Sequence, residues 1–206
     1  MAIASALGNP SGTPRTTVNV PQVDRVPLVY REFALFDEVE QAIAVQSAAN
    51  GFGPDECARR RDVISRRASE PGMCSVGAFR DGQMVGFCYG AIFTRRWSWA
   101  SMIAADLRRS PFGMCGLPYA VLELHVLPSM WRHGVGTALL NQVHRHTTAN
   151  WTLLTRKSSS QQARDFYTAQ GYVELPIALG RFTVMASELP LHRRAASRTP
   201  GPRLLP

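Results

Sequence analysis

The sequence predicts a mixed α/β domain: a mostly antiparallel sheet of six to seven strands flanked by helices. Three observations carry that expectation. Residues 121–127 alternate like a half-buried strand, and then pass Pro128 into an amphipathic helix opened by Gly134 and Gly136. Residues 73–80 and 83–93 are strand-like runs joined by Asp81-Gly82, a strong hairpin signal. Residues 172–175 and 181–185 read as a last pair of strands after a helix that Gly171 ends.

At 206 residues the chain is long enough for one domain with a sizeable core and short for two. Its 45% hydrophobic and 18% charged content are those of a soluble globular protein, and no apolar run approaches a membrane span. The first residues lack the basic start and long apolar core of a secretion signal, so the expected location is cytoplasmic. Cys57, Cys74, Cys88 and Cys115 show no C-x-x-C spacing, and neither a metal centre nor a catalytic cysteine is expected from them.

The formal charge of +8 does not make a nucleic-acid footprint. Six of the 23 basic residues and one of the 15 acidic ones lie outside 26–190, leaving 17 against 14 within it.

Taken in order, residues 1–25 read as a disordered leader, 26–190 as the domain and 191–206 as a basic, Pro-rich tail. A first strand falls at 27–33. Asp37 is the expected cap of a helix reaching about Ala49, with Val39, Ala42, Ile43 and Gln46 on one face. Residues 50–53 break it. A second helix starts at Pro54, with Asp55 and Glu56 in its first turn, and runs to about Ala68. Its arginines (Arg59, Arg60, Arg61, Arg66 and Arg67) read as a solvated face. Residues 94–119 form a long connection. In it Trp97 and Trp99 beside Arg95 and Arg96 are either a wall of a substrate pocket or a lid packed for stability. Beyond the central strand and helix lie a strand at 151–155 and a helix capped by Ser160 that carries Ala163, Phe166 and Tyr167.

The turn at Gly134 and Gly136 bares backbone where a helix begins, a position whose free N–H groups and dipole suit a phosphate. Taken alone, the glycines equally allow a mere tight turn. No Gly-Lys-Ser/Thr follows, so it is not a P-loop, and no third glycine or distant acidic residue supports a dinucleotide fingerprint.

The frame Val126-x-Pro128-x-x-Trp131-Arg132-His133-Gly134-Val135-Gly136 resembles the acyl-CoA motif of the GNAT superfamily of N-acyltransferases, V-x-P-x-x-(R/Q)-x-x-G-x-(G/A), with Trp131 where the motif has Arg or Gln. Ser160-Gln161-Gln162-Ala163-Arg164-Asp165-Phe166-Tyr167, continued to Gly171-Tyr172, resembles the second hallmark, N-x-x-A-x-x-F-Y-x-x-x-G-F, with Ser160 for Asn. The resemblance covers about 28–189 apart from the 94–119 connection. It implies that acetyl-CoA is the co-substrate, held by turn amides from Arg132 to Thr137, with Trp131, Val135, Ser160 and Ala163 beside it. Arg132 and His133 would add charge at its phosphates. The backbone of Leu124 to Val126 would meet the pantetheine arm and the oxyanion.

Acyl transfer to an amine needs a proton acceptor for the amine, a polarised carbonyl and a proton for the departing thiolate. Glu123, the only carboxylate on the motif strand, is the expected base, or else an edge ion pair; His125 shares that role or lines the cleft. By the resemblance, Tyr167 is the acid. The expected acceptor is a small-molecule primary amine. A protein amine and a non-catalytic acyl-CoA-binding module stay open, as does a homodimer through exposed sheet edges.

Overall fold

The structure, a computed structural model, describes residues 27–189; the expected leader and tail lie outside them. Seven strands form one sheet: β1 (Val29–Glu32), β2 (Cys74–Arg80), β3 (Gln83–Ile92), β4 (Tyr119–Val126), β5 (Trp151–Lys157), β6 (Val173–Leu179) and β7 (Phe182–Glu188). Their order is β1-β2-β3-β4-β5-β7-β6. All pairs are antiparallel except β4 with β5. Pro176 falls on the edge strand β6, the place where a missing ladder donor is tolerated.

Among the described residues five α-helices cover the two faces. On one face α1 (Val39–Asn50) and α2 (Pro54–Arg67) bury Ala42, Ile43, Val45 and Ile64 against Phe79, Phe87 and Tyr89. On the other, α4 (Val135–His146) buries Val135, Leu139, Leu140 and Val143 against Val76, Cys88, Val121 and Leu154. Each Val, Leu, Ile or Phe among these contributes roughly 1.5–3 kcal/mol when fully buried. The short α5 (Gln161–Ala169) follows β5, and Ser160 Oγ accepts its Ala163 amide at 3.3 Å, the cap expected there.

Two local expectations are corrected. Asp37 does not cap α1: Glu38 holds the N-cap position without a side-chain cap, and its carboxylate accepts from Gln41 and Arg31 instead. The 94–119 connection is not a loop but contains α3 (Ser98–Arg109). Its Ala100, Ile103 and Leu107 bury against Trp151, Leu175 and Ile177, joined by Trp97 and Phe112 from its flanks.

The central strand carries a bulge. Glu123 pairs with Tyr89 and Val121 with Gly90, so Leu122 is an extra residue with no partner on β3. The expected alternation therefore breaks once. Val121 lies with Leu124 and Val126 toward α4, whereas Leu122 and Glu123 both turn toward the α1–α3 face. Gly90 is required there, because a Cβ would sit 2.4 Å from the Tyr119 ring and 2.6 Å from the Ala120 carbonyl.

Candidate active site

Beyond the bulge the two parallel strands separate. β4 and β5 pair only at Tyr119 with Thr152 and Ala120 with Leu153. The rest of β4 leaves β5, and a cleft of about 890 Å³ opens in the gap. Leu124, His125 and Val126 form its strand wall, Met130 to Arg132 with Gly134, Gly136 and Thr137 its floor, and Ser160, Ala163, Phe166 and Tyr167 its far wall. Ala49 and Asn50 close the end nearest α1.

The floor is shaped by backbone conformation. Arg132 and Gly134 both have positive φ, 62° and 76°. Gly134 is the N-cap of α4 and tolerates the left-handed region, whereas Arg132 holds it at a steric cost. The unpaired N–H groups of the first turn of α4 and the positive end of its dipole thus face the cleft, an arrangement that attracts anions. Trp131 secures the turn by donating its indole N–H to the Val126 carbonyl at 2.8 Å. His133 is exposed and donates Nδ1–H to the Trp131 carbonyl at 2.8 Å, while Val135 is buried beneath the turn; neither side chain lines the cleft.

At the α1 end lies a polar network. His125 Nε2 is 2.7 Å from Glu123 Oε2. A carboxylate only accepts, so the proton sits on Nε2, and Nδ1 is left to accept from Asn50 Nδ2 at 3.3 Å. Glu123 is held from two more sides, by Gln46 Nε2 at 3.2 Å and by an Arg60 nitrogen at 3.4 Å. His125 lines the cleft and Glu123 stands behind it. Along the chain Gln46 reads only as part of a helix face, Asn50 as a helix breaker and Arg60 as solvated. Arg60 instead joins Glu56 at 2.9 Å to Glu123, and Arg61 pairs with Glu40 at 2.6 Å.

Tyr167 projects from α5 into the same cleft, with Phe166 and Tyr172 packed edge-on to its ring. Burial, aided by the nearby Cys88, Tyr172 and Glu123, pushes its hydroxyl pKa well up from the ordinary value. The hydroxyl therefore keeps its proton at neutral pH. Trp97 and Trp99, candidates for a pocket wall, stand elsewhere: Trp97 stacks on Trp99, lies under the Arg67 guanidinium and donates to Glu70 at 2.7 Å. Met130, Gln162, Asp165 and Phe166 also line the cleft, positions that nothing in the sequence singles out for binding.

A cleft beside a splayed strand, floored by a helix start and walled by a His–Glu pair and a protonated Tyr, can hold a phosphorylated thioester and manage two protons. The model of the acetyltransferase (GNAT) family matches residues 42–172. Among solved structures, the PaiA N-acetyltransferase of Thermoplasma acidophilum, crystallised with coenzyme A, is 15% identical at TM-score 0.57, covering 79% of this chain and 99% of its own. The ribosomal-protein-S18-alanine N-acetyltransferase of Escherichia coli is 14% identical at TM-score 0.56, covering 79% and 94%. An aminoglycoside 6'-acetyltransferase of type Ii is 17% identical at TM-score 0.56, covering 79% and 98%. Identities this low carry the fold alone. No curated protein matches the chain by sequence.

Proposed function

The chain belongs to the acetyltransferase (GNAT) family, and from that premise we propose that it transfers an acetyl group from acetyl-CoA to the primary amine of a small acceptor. The observation that carries this reading is the gap between β4 and β5, which bares the edge of Leu124 to Val126 beside the start of α4. An extended pantetheine arm would pair with that edge in place of β5. Its pyrophosphate would rest on the amides from Arg132 to Thr137.

The reaction is direct attack in a ternary complex. The neutral amine adds to the thioester carbonyl carbon, forming the C–N bond, and a β4 amide between Leu124 and Val126 meets the oxyanion. The nitrogen loses its proton to the His125–Glu123 pair. His125 faces the acceptor, and the carboxylate behind it stabilises the charge that results. The C–S bond then breaks, and Tyr167 donates to the leaving sulfur. The place of Tyr167 in the cleft wall, opposite the β4 edge, supports this role.

Asp165, on the α5 side, is the one carboxylate among the described lining residues. Such a lining suits an acceptor with a single amine better than a polycation. The aromatic 94–119 segment packs into a separate core cluster and none of its residues lines this cleft. The test is calorimetric titration with acetyl-CoA followed by thiol-release assays over a panel of amines. Saturable binding with turnover on small amines supports the reading. Failure of the folded protein to bind any acyl-CoA overturns it.

A further inference from the structure

At the far end of α4, about 18 Å from the cleft along a twelve-residue helix, three side chains from three elements converge. Glu32 ends β1, Cys74 begins β2 and His146 ends α4; their ligand atoms all lie within 4.8 Å of one another. We infer that this cluster is a binding site for a divalent transition-metal ion of the zinc type, fastening the last turn of α4 to the β1–β2 edge.

The geometry fits such an ion. Zinc bonds of about 2.0–2.2 Å to nitrogen and oxygen in a tetrahedron separate those two ligands by roughly 3.3–3.5 Å. His146 Nε2 and Glu32 Oε1 stand 3.3 Å apart, longer than a charge-assisted hydrogen bond of about 2.7–2.9 Å. A sulfur at about 2.3 Å from the same ion would be roughly 3.6 Å from each. Cys74 Sγ thus needs to close by little more than about 1 Å. The two partners can move. Glu32 is largely exposed at a strand end, and His146 occupies the last helical position.

The donor set selects the ion. One thiolate, one imidazole and one carboxylate suit zinc or cobalt, not the all-oxygen shells of magnesium or calcium. The thiolate and the carboxylate together balance a charge of +2. Water would fill the fourth position on the open side. Spacing along the chain gives no sign of this site, since the ligands meet only once β1 pairs with β2 and α4 lies across them.

The experiment titrates cobalt chloride into reduced, chelator-treated full-length protein, followed by zinc to displace it. One equivalent is expected to produce a thiolate-to-cobalt charge-transfer band and the strong visible bands of a four-coordinate ion. Cys74→Ala abolishes the charge-transfer band, whereas Cys57→Ala and Cys115→Ala leave it intact. His146→Ala, at an exposed helix end, weakens cobalt affinity by about tenfold or more and decides the matter if Cys74→Ala does not fold. No band in the wild type, a band that survives Cys74→Ala, or wild-type affinity in His146→Ala overturns the site. The readout is independent of acetyl transfer.

Discussion

His125 Nε2 lies 2.7 Å from Glu123 Oε2, and this contact sets which ring nitrogen carries the proton. Because Nε2 carries the proton, Nδ1 is the accepting nitrogen, which takes a hydrogen bond from Asn50 at the cleft. The bulge at Leu122 is what makes the pair possible at this place. It turns Glu123 to the α1 face, where Gln46 and Arg60 hold its other contacts. We predict that His125→Ala lowers kcat/KM by roughly 10²–10⁴-fold while leaving acetyl-CoA affinity unchanged. Glu123→Gln lowers kcat as well, and the double variant falls little further, since the two residues act as one unit. Steady-state kinetics on the four proteins tests this, and full activity in either single variant sinks the assignment.

Tyr167 gives a separate prediction. Tyr167→Phe keeps the ring packed on Phe166 and Tyr172 and removes only the hydroxyl, so kcat falls by roughly 10²-fold or more with little change in KM. The wild-type profile should show no alkaline limb from this group below its ordinary value of 10.0, because the folded pKa is displaced upward. A falling limb that disappears in Tyr167→Phe, centred well below that value, counts against Tyr167 as a buried acid.

The phosphate cradle is tested at Gly134. Any side chain there strains a backbone at φ 76°, and a carboxylate also repels a pyrophosphate. Gly134→Asp should weaken acetyl-CoA binding by about 100-fold, about 2.7 kcal/mol, and cost roughly 1–2 kcal/mol of stability from the left-handed backbone alone, since nothing lies within 4 Å of the added Cβ. Calorimetric affinity equal to wild type would move the pyrophosphate elsewhere.

Much of this architecture was legible along the chain, and the failures have definite causes. The turn at Gly134, the cap at Ser160 and the hairpin at Asp81-Gly82 are local, and local chemistry dictates them. The helix α3 was also written there, as Ala100, Ile103, Ala104 and Leu107 at helical spacing, but the flanking tryptophans and arginines drew attention to a surface role. The Leu122 bulge left no mark of its own, because Val121 and Leu122 are both apolar and either can face a core. Gln46, Asn50 and Arg60 became site residues only through the packing of α1 and α2 on the sheet.

The position of α3 makes its own prediction. Trp97 is buried, stacked on Trp99 and bonded to Glu70, so Trp97→Ala should cost roughly 3–5 kcal/mol of stability. Acceptor KM in the protein that remains folded should match wild type, because this face does not line the cleft. Denaturant unfolding with parallel kinetics separates the two outcomes. A stable variant with an altered acceptor KM would return the segment to the substrate site.

Burial of phenols predicts how the fold fails in alkali. Burial pushes the hydroxyls of Tyr89, Tyr119, Tyr167 and Tyr172 all upward. In the unfolded chain each would ionise near 10.0, so above that pH the folded state binds more protons than the unfolded one. The sign is therefore negative: stability is complete below about pH 10 and falls as pH rises, by roughly 1.4 kcal/mol per pH unit for each fully buried phenol. In the metal-free protein the Cys74 thiol, displaced from 9.0 to about 11, begins the decline earlier and ends its share once its folded pKa is passed. Urea midpoints should thus hold steady up to about pH 9 and then drop with increasing slope. Ultraviolet titration of the folded protein should show Tyr89, Tyr119 and Tyr172 ionising only as it unfolds. Normal titration of all tyrosines near 10 in a protein that keeps its near-ultraviolet dichroism would refute the burial of this aromatic core.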